Sequence, residues 1–347
     1  VTALTAIPAT MLMRRIGRKY GSAIASLSAA IAVLLAAYAI KTQSFILFTL
    51  SAAMFGVNAA FSQQYRYAAA ESVNQELISR SISLILLGAI GGAILGPELV
   101  TRGQFWINDI QYAGTLISLA LLFVIQAFLL LSLGDFSITE EGDGKTSGRK
   151  LSIISKQRVF IMAVLGGTVA YGSMTFIMTA TPLSMHVIDG YSIEETANVI
   201  RSHVLAMYIP SLISGFLIEK YGLNKIMSLG VIGLLGASLA GMSGTSVFMY
   251  WLALVLLGIG WNFLYVGGTT MLTYTYKPNE RFKAQGLNEF FVFGISAFGS
   301  LLAGTIMYKF GWFVLVIIPI PFLLMIGVGL IVTNREVSSL VLKKDSI

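Results

Sequence analysis

Eleven apolar runs, separated by short polar or charged breaks, divide the chain: residues 1–13 (a short one), 22–40, 45–66, 81–100, 112–133, 159–181, 196–218, 226–243, 247–273, 285–306 and 312–333. Most are about twenty residues long, the length at which an α-helix crosses a hydrocarbon core of about 30 Å. Apolar and polar residues do not alternate within them, which excludes barrel strands, and open strand edges have no place in lipid. The pattern therefore predicts an all-α membrane protein. The breaks also carry boundary chemistry. Ser192 and Glu195 make a capping-box pattern ahead of the 196–218 run. The longest break, 134–157 (GDFSITEEGDGKTSGRKLSIISKQ), is glycine-rich and mixed in charge, and reads as a flexible tether between 1–133 and 158–334, with 335–347 as a polar tail.

Composition agrees with that picture. Of the 347 residues 56% are apolar and only 11% are charged, too few to cover the surface of a soluble domain. A net charge of +7 would suggest a nucleic-acid partner in a soluble protein, but here the bases sit in alternate short loops. One side holds Arg14, Arg15, Arg18, Lys19, Arg80, the bases of 145–158, Lys220, Lys225, Lys277, Arg281, Lys283, Arg335, Lys343 and Lys344; the other has only Lys41, Arg102, Arg201 and Lys309. The positive-inside rule makes the first side, and the C-terminus with it, cytoplasmic. Cysteine is absent, and His186 and His203 are the only histidines. No metal-ligand spacing, nucleophile elbow or Walker phosphate loop is present, so neither an enzyme nor an ATP-driven pump is expected, and no cofactor.

The two halves repeat. Leu12, Arg15 and Gly17 correspond to Leu217, Lys220 and Gly222; Gly56 and Asn58 to Gly260 and Asn262; Arg80 and Leu84 to Lys283 and Leu287, at offsets of 205, 204 and 203. A near-constant offset implies a duplicated six-helix unit, the parallel repeat about the membrane normal seen in some transporters. At that offset Val1 falls midway along the eighth span, so the chain is expected to lack the first span of its first unit.

These residues resemble the major facilitator superfamily, over the whole chain. Its loop motif, Gly-x-x-x-Asp-Arg-x-Gly-Arg-Arg, follows the second span and recurs more weakly after the eighth. Gly215, Glu219, Lys220 and Gly222 match the second copy; Arg15, Gly17, Arg18 and Lys19 match the first, where Thr10 and Arg14 replace the glycine and the acid. The resemblance implies two six-helix bundles related by a pseudo-two-fold axis along the membrane normal, about eleven of the helices being present. It also implies that the motif loops steady one conformation and release it during transport. Candidate gating residues are Arg15, Gly17, Glu71, Gly215, Glu219, Lys220, Gly222 and Arg281, with Glu71 or Glu76 as partner for Arg15, and Glu289 or Arg281 for Glu219 and Lys220. Gly88, Gly92 and Gly96 before Pro97 resemble an antiporter element, and read as a smooth packing groove.

By the same resemblance the cavity is lined by the first, fourth, seventh and tenth spans. Asn58, Ser62 and Tyr65 share one face of the fourth span; Asn262, Tyr265 and Thr269, beside Trp261, one face of the tenth; Tyr171, Thr175 and Met178 a stripe of the seventh. These are the candidate solute-binding residues, and for each the alternative is packing. Proton coupling requires an embedded ionisable group. Arg66, Glu71, Glu98, His203 and Glu289 qualify, Glu289 and His203 being the foremost candidates. The expected function is secondary active transport of a small organic solute by alternating access, as proton-coupled export, by a monomer in a bacterial inner membrane. Uptake of a metabolite and a non-transporting membrane sensor are the alternatives.

Overall fold

The computed structural model describes residues 1–103, 106–107, 112–133 and 148–344. Their regular structure is helical throughout: α1 (Thr2–Ile16), α2 (Arg18–Lys41), α3 (Phe45–Ser62), α4 (Tyr65–Glu71), α5 (Ile78–Gly103), α6 (Ala113–Ser132), α7 (Leu151–Ile154), α8 (Arg158–Pro182), α9 (Ile193–Tyr208), α10 (Ser211–Tyr221), α11 (Leu223–Met242), α12 (Val247–Thr273), α13 (Arg281–Ile317) and α14 (Pro319–Lys344). Nine stretches among the described residues are long and apolar enough to cross a membrane. Two features reconcile that number with the eleven runs. The first helix has only 15 residues, and the last two runs follow one another without a loop, parted only where Gly311 leaves the helix at φ 77°.

Two runs are each split. The run 45–66 becomes α3 and α4, joined through Gln63 and Gln64, where Gln64 N donates to Phe61 O and Tyr67 N to Gln64 O, the tighter i→i−3 pattern. The run 196–218 breaks at Ile209 and Pro210 because proline lacks the N–H that would continue the ladder. Its start is the expected capping box, with Ser192 Oγ accepting from Glu195 N at 3.1 Å and Ser192 N donating to Glu195 Oε2 at 2.9 Å. The last helix runs on to Lys344, where the pattern marks a tail from 335.

The duplication is visible in the backbone. Gly17 and Gly222 turn the chain with nearly the same dihedral angles, φ 85° and ψ 155° against φ 93° and ψ 148°, values that a side chain would strain. The helices fall into two groups. In the first α2 packs on α3 and α6; in the second α12 packs on α8, α9 and α11, and α13 on α8. Between the groups α1 lies on α13 and α5 on α10. In the repeat α1 corresponds to α10 and α5 to α13, so these two contacts are mates of a pseudo-two-fold axis along the membrane normal. Gly215 marks one of them: a Cβ there would stand 2.7 Å from Arg80 Cα and from Ser79 O. Gly88, Gly92 and Gly96, read as a packing groove, have nothing within 4 Å of their Cβ positions among the described residues.

The stretch 134–147 of the tether lies outside the described residues, but its end is anchored. Arg149 donates from its backbone N and Nε to Glu280 Oε1 (both 2.8 Å), from Nη2 to Glu280 Oε2 (2.7 Å) and to Thr275 O (3.0 Å). Gln157 Nε2 also reaches Thr275 O, at 3.0 Å. Its bonds to Glu280 raise the Arg149 guanidinium above its ordinary pKa. Glu280 is fully buried and also accepts from Lys277 N, so Glu280→Ala strands several donors. The expected result is a loss of about 1.5–3 kcal/mol, read as a lower thermal midpoint by size-exclusion after heating. An unchanged midpoint would show that the anchor contributes nothing.

Candidate functional site

An aromatic wall stands in the second group of helices. Trp261 and Tyr265, one turn apart on α12, stack with centroids 4.8 Å apart at 21°. Tyr171 of α8 sets its edge against both, at 5.6 and 5.2 Å, and against Phe293 of α13 at 5.1 Å. Tyr208 of α9 meets Trp261 at 5.9 Å. Edge-to-face contacts of this kind fix ring orientation beyond simple burial. Tyr171, Thr175 and Met178 stay partly exposed while their neighbours 172–174, 176 and 177 are buried, so one stripe of α8 faces open space. Thr175 Oγ1 lies 2.8 Å from Ser296 Oγ on α13.

Beside the wall is a buried ion pair. Arg66 of α4 and Glu289 of α13 meet through Nη2 and Oε1, with 2% and 1% of their side chains exposed. The same Oε1 accepts from Tyr67 OH at 2.8 Å and from Asn288 Nδ2 at 3.0 Å, and Asn288 Nδ2 also reaches Tyr67 OH at 2.9 Å. The guanidinium sits over the Tyr265 ring, 4.4 Å from its centroid, and over Tyr67 at 4.8 Å. Removing two charges from water costs several kcal/mol per ion, so a pair like this is specific before it is stabilising. Glu289 lies eight residues from the start of α13, about 12 Å along the axis.

Nearer the basic end a second network joins the groups. Arg18 Nη2 donates to both Glu71 oxygens at 2.9 and 2.8 Å and to Gln285 Oε1 at 2.9 Å. Gln285 Nε2 donates to Glu71 Oε1 and to Tyr276 OH, both at 2.7 Å. Arg281 Nη1 lies 3.4 Å from Glu71 Oε2, and Arg80 pairs with Glu219 at 2.6 Å. The ion pairs that cross between the groups among the described residues are thus Arg66–Glu289, Arg281–Glu71 and Arg80–Glu219. All three fall on the basic side, so this conformation is closed there.

Of the expected gating pairs, three are replaced. Glu71 takes Arg18 and Arg281 in place of Arg15, because Gly17 ends α1 after Ile16 and opens α2 on Arg18; Arg15 is left exposed. Glu219 takes Arg80, since Gly215 seats α10 on the start of α5. Glu289, two turns into α13, faces Arg66. Lys220 lies 5.3 Å from the Tyr221 ring centroid.

The proposed solute-binding residues do not share one surface. Trp261 and Tyr265 join Tyr171 in the wall. Asn262 is buried behind it, its Nδ2 donating to Met207 O at 2.7 Å and Ser211 Oγ at 2.6 Å, across the Pro210 break. Its counterpart Asn58 is also buried, and Ser62 Oγ turns back to Asn58 O at 3.2 Å. Tyr65 OH accepts from Gln126 Nε2 at 3.0 Å and so faces α6. Thr269 is buried within the second group. His203 lies fully buried, with Nδ1 2.8 Å from Leu254 O and Nε2 unpartnered among the described residues. A carbonyl needs a donor, so Nδ1 carries the hydrogen, and a second proton on Nε2 would find no acceptor. Tyr67, Asn288, Gln285 and the Arg66 pairing are absent from the sequence expectations. A signal did exist: an arginine and a glutamate both embedded in apolar spans must find partners.

A helical membrane protein whose two groups repeat about one axis and are tied together by charged pairs on one side has the architecture of a membrane transporter. Residues 163–346 match the family model of the Major Facilitator Superfamily, and the chain belongs to that superfamily. It is 36% identical over 311 residues to the riboflavin transporter RfnT of Brucella anthropi, covering 89% of this chain and 78% of that one. It is 31% identical over 265 residues to the uncharacterized MFS-type transporter YddS of Bacillus subtilis, covering 72% of this chain but only 60% of the relative's length. Among solved structures, the proton:xylose symporter XylE gives a TM-score of 0.75 at 14% identity (97% of this chain, 83% of that one). The human organic anion transporter MFSD10 gives 0.74 at 16% identity (95% and 80%). At such identities these two show the fold alone.

Proposed function

We propose that the chain carries riboflavin, or a solute with a similar flat ring system, across a bacterial inner membrane by alternating access, acting as a monomer with its basic end in the cytoplasm. The Tyr171 ring, partly exposed on the open stripe of α8 and backed by the buried Trp261 and Tyr265, carries this reading. A planar heteroaromatic solute gains from stacking on such a surface, whereas a sugar or an aliphatic ion gains much less. The likeness to the Brucella riboflavin transporter supports the same solute class. The Arg66–Glu289 pair holds the basic side shut beneath the wall, and a cycle must part it. In a proton-coupled cycle Glu289 is the carrier, since protonation there weakens its hold on Arg66. Export is the direction expected from the sequence. Uptake is the second reading, favoured by the vitamin named for the relative.

The test is the flux of labelled riboflavin into and out of membrane vesicles from cells producing the protein, with and without a proton ionophore. Saturable flux that collapses with the ionophore is expected, and Tyr265→Ala is expected to weaken apparent affinity about tenfold, equivalent to about 1.4 kcal/mol. Flux no greater than in vesicles lacking the protein would sink the flavin reading. Flux indifferent to the ionophore would remove only the coupling.

A further inference from the structure

The floor pair is incomplete in a particular way. Glu289 Oε1 is crowded with three donors, yet Glu289 Oε2 is buried with no partner among the described residues; so is Arg66 Nε. Both side chains are more than nine-tenths buried. A buried acceptor or donor left unmatched costs about 1–3 kcal/mol, more when the group is charged. Native proteins satisfy most buried polar atoms, and here a donor and an acceptor are left open on two residues that touch. One orphan is an acceptor and the other a donor, and the two charges cancel. The Tyr265 ring lies against the same guanidinium and continues into the Trp261 stack.

We propose that Arg66 and Glu289 read one edge of the solute, and that the edge is a lactam or imide: a ring N–H beside a ring C=O. The N–H donates to Glu289 Oε2 and the carbonyl accepts from the Arg66 guanidinium. This deepens the flavin reading and rests on it, since the flavin ring system ends in such an edge. The chemistry also selects. A carboxylate or phosphate would be repelled by Glu289, and a cation by Arg66. A flat hydrocarbon would leave both orphans unsatisfied, and a site built around a hydrogen bond rejects analogues that lack it more strongly than any apolar pocket can.

The test compares riboflavin with its N3-methyl derivative, which keeps the ring, the carbonyls and the side chain and loses only the imide hydrogen. Each is titrated against the full-length protein in detergent by quenching of flavin fluorescence. The methyl derivative is expected to bind roughly 10- to 100-fold more weakly, the range for a lost hydrogen bond to a charged group. In the Arg66→Ala, Glu289→Ala double variant, checked for a single size-exclusion peak, the two ligands are expected to bind alike. Equal binding to the unmodified protein would overturn the edge proposal and leave flavin transport standing. A double variant that still discriminates would overturn it as well, placing the imide elsewhere. Binding of neither ligand would strike the flavin reading itself, and the proposal with it.

Discussion

Arg66→Ala is expected to cost about 3–5 kcal/mol of stability and to abolish transport. The substitution leaves Glu289 buried, charged and held only by Tyr67 and Asn288, and removing one member of a buried pair is far more damaging than never having had it. Glu289→Ala leaves the guanidinium stranded between Tyr67 and Tyr265 in the same way. Arg66→Lys separates charge from shape. An ammonium keeps the charge but offers neither the fork nor the flat face that lies on Tyr265, so it is expected to recover part of the thermal midpoint and little of the flux. The double alanine variant is expected to be more stable than either single one, a coupling a double-mutant cycle measures directly. Single variants that add without coupling, or an Arg66→Ala protein that transports at the normal rate, would show that the pair is incidental.

The second large effect comes from one methyl group. Gly215→Ala places a Cβ 2.7 Å from the backbone of α5 at Ser79 and Arg80, and no side chain can yield there. The helices α5 and α10 must separate on the basic side, parting Arg80 from Glu219, so the closed conformation is destabilised relative to the one open on that side. The chain has no cysteine, which makes this readable without further engineering. Ser83 Oγ and Ser214 Oγ lie 3.1 Å apart across the two groups. The Ser83→Cys, Ser214→Cys pair is expected to cross-link readily on its own and poorly once Gly215→Ala is added. Gly88→Ala, whose Cβ meets nothing within 4 Å, is the control and is expected to leave cross-linking intact. Equal cross-linking in all three would refute the close-approach argument.

Most of the architecture is legible in the sequence because lipid imposes it. Apolar length sets each crossing, and the repeat shows through Gly17 and Gly222, whose backbone angles nearly coincide. What tertiary contact decides is not legible. Pairing charges by nearness along a lip led to Arg15 and Glu71, but a turn at Gly17 rotates Arg18 inward in its place. The asparagine repeat was a good marker of duplication and a poor marker of exposure. An amide that avoids lipid can do so by facing a cavity or by splinting a broken helix, and Asn262 does the second at Pro210. The i, i+4 spacing of Trp261 and Tyr265 places them on one face, whereas the partner ring from α8 emerges only on packing.

The short helix α4 carries Arg66, Tyr67 and Glu71, which with Arg18 bond the first group to polar side chains of α13, and it meets α3 at the tightened turn of Gln63 and Gln64. On the other side α12 runs unbroken from Val247 to Thr273. The two walls therefore differ in stiffness although they arose as copies. A bolt mounted on seven residues can be withdrawn by bending at its root, while the plate it strikes keeps its shape and the rings mounted there keep theirs. Bending and rigidity are in this way assigned to opposite copies of one ancestral helix.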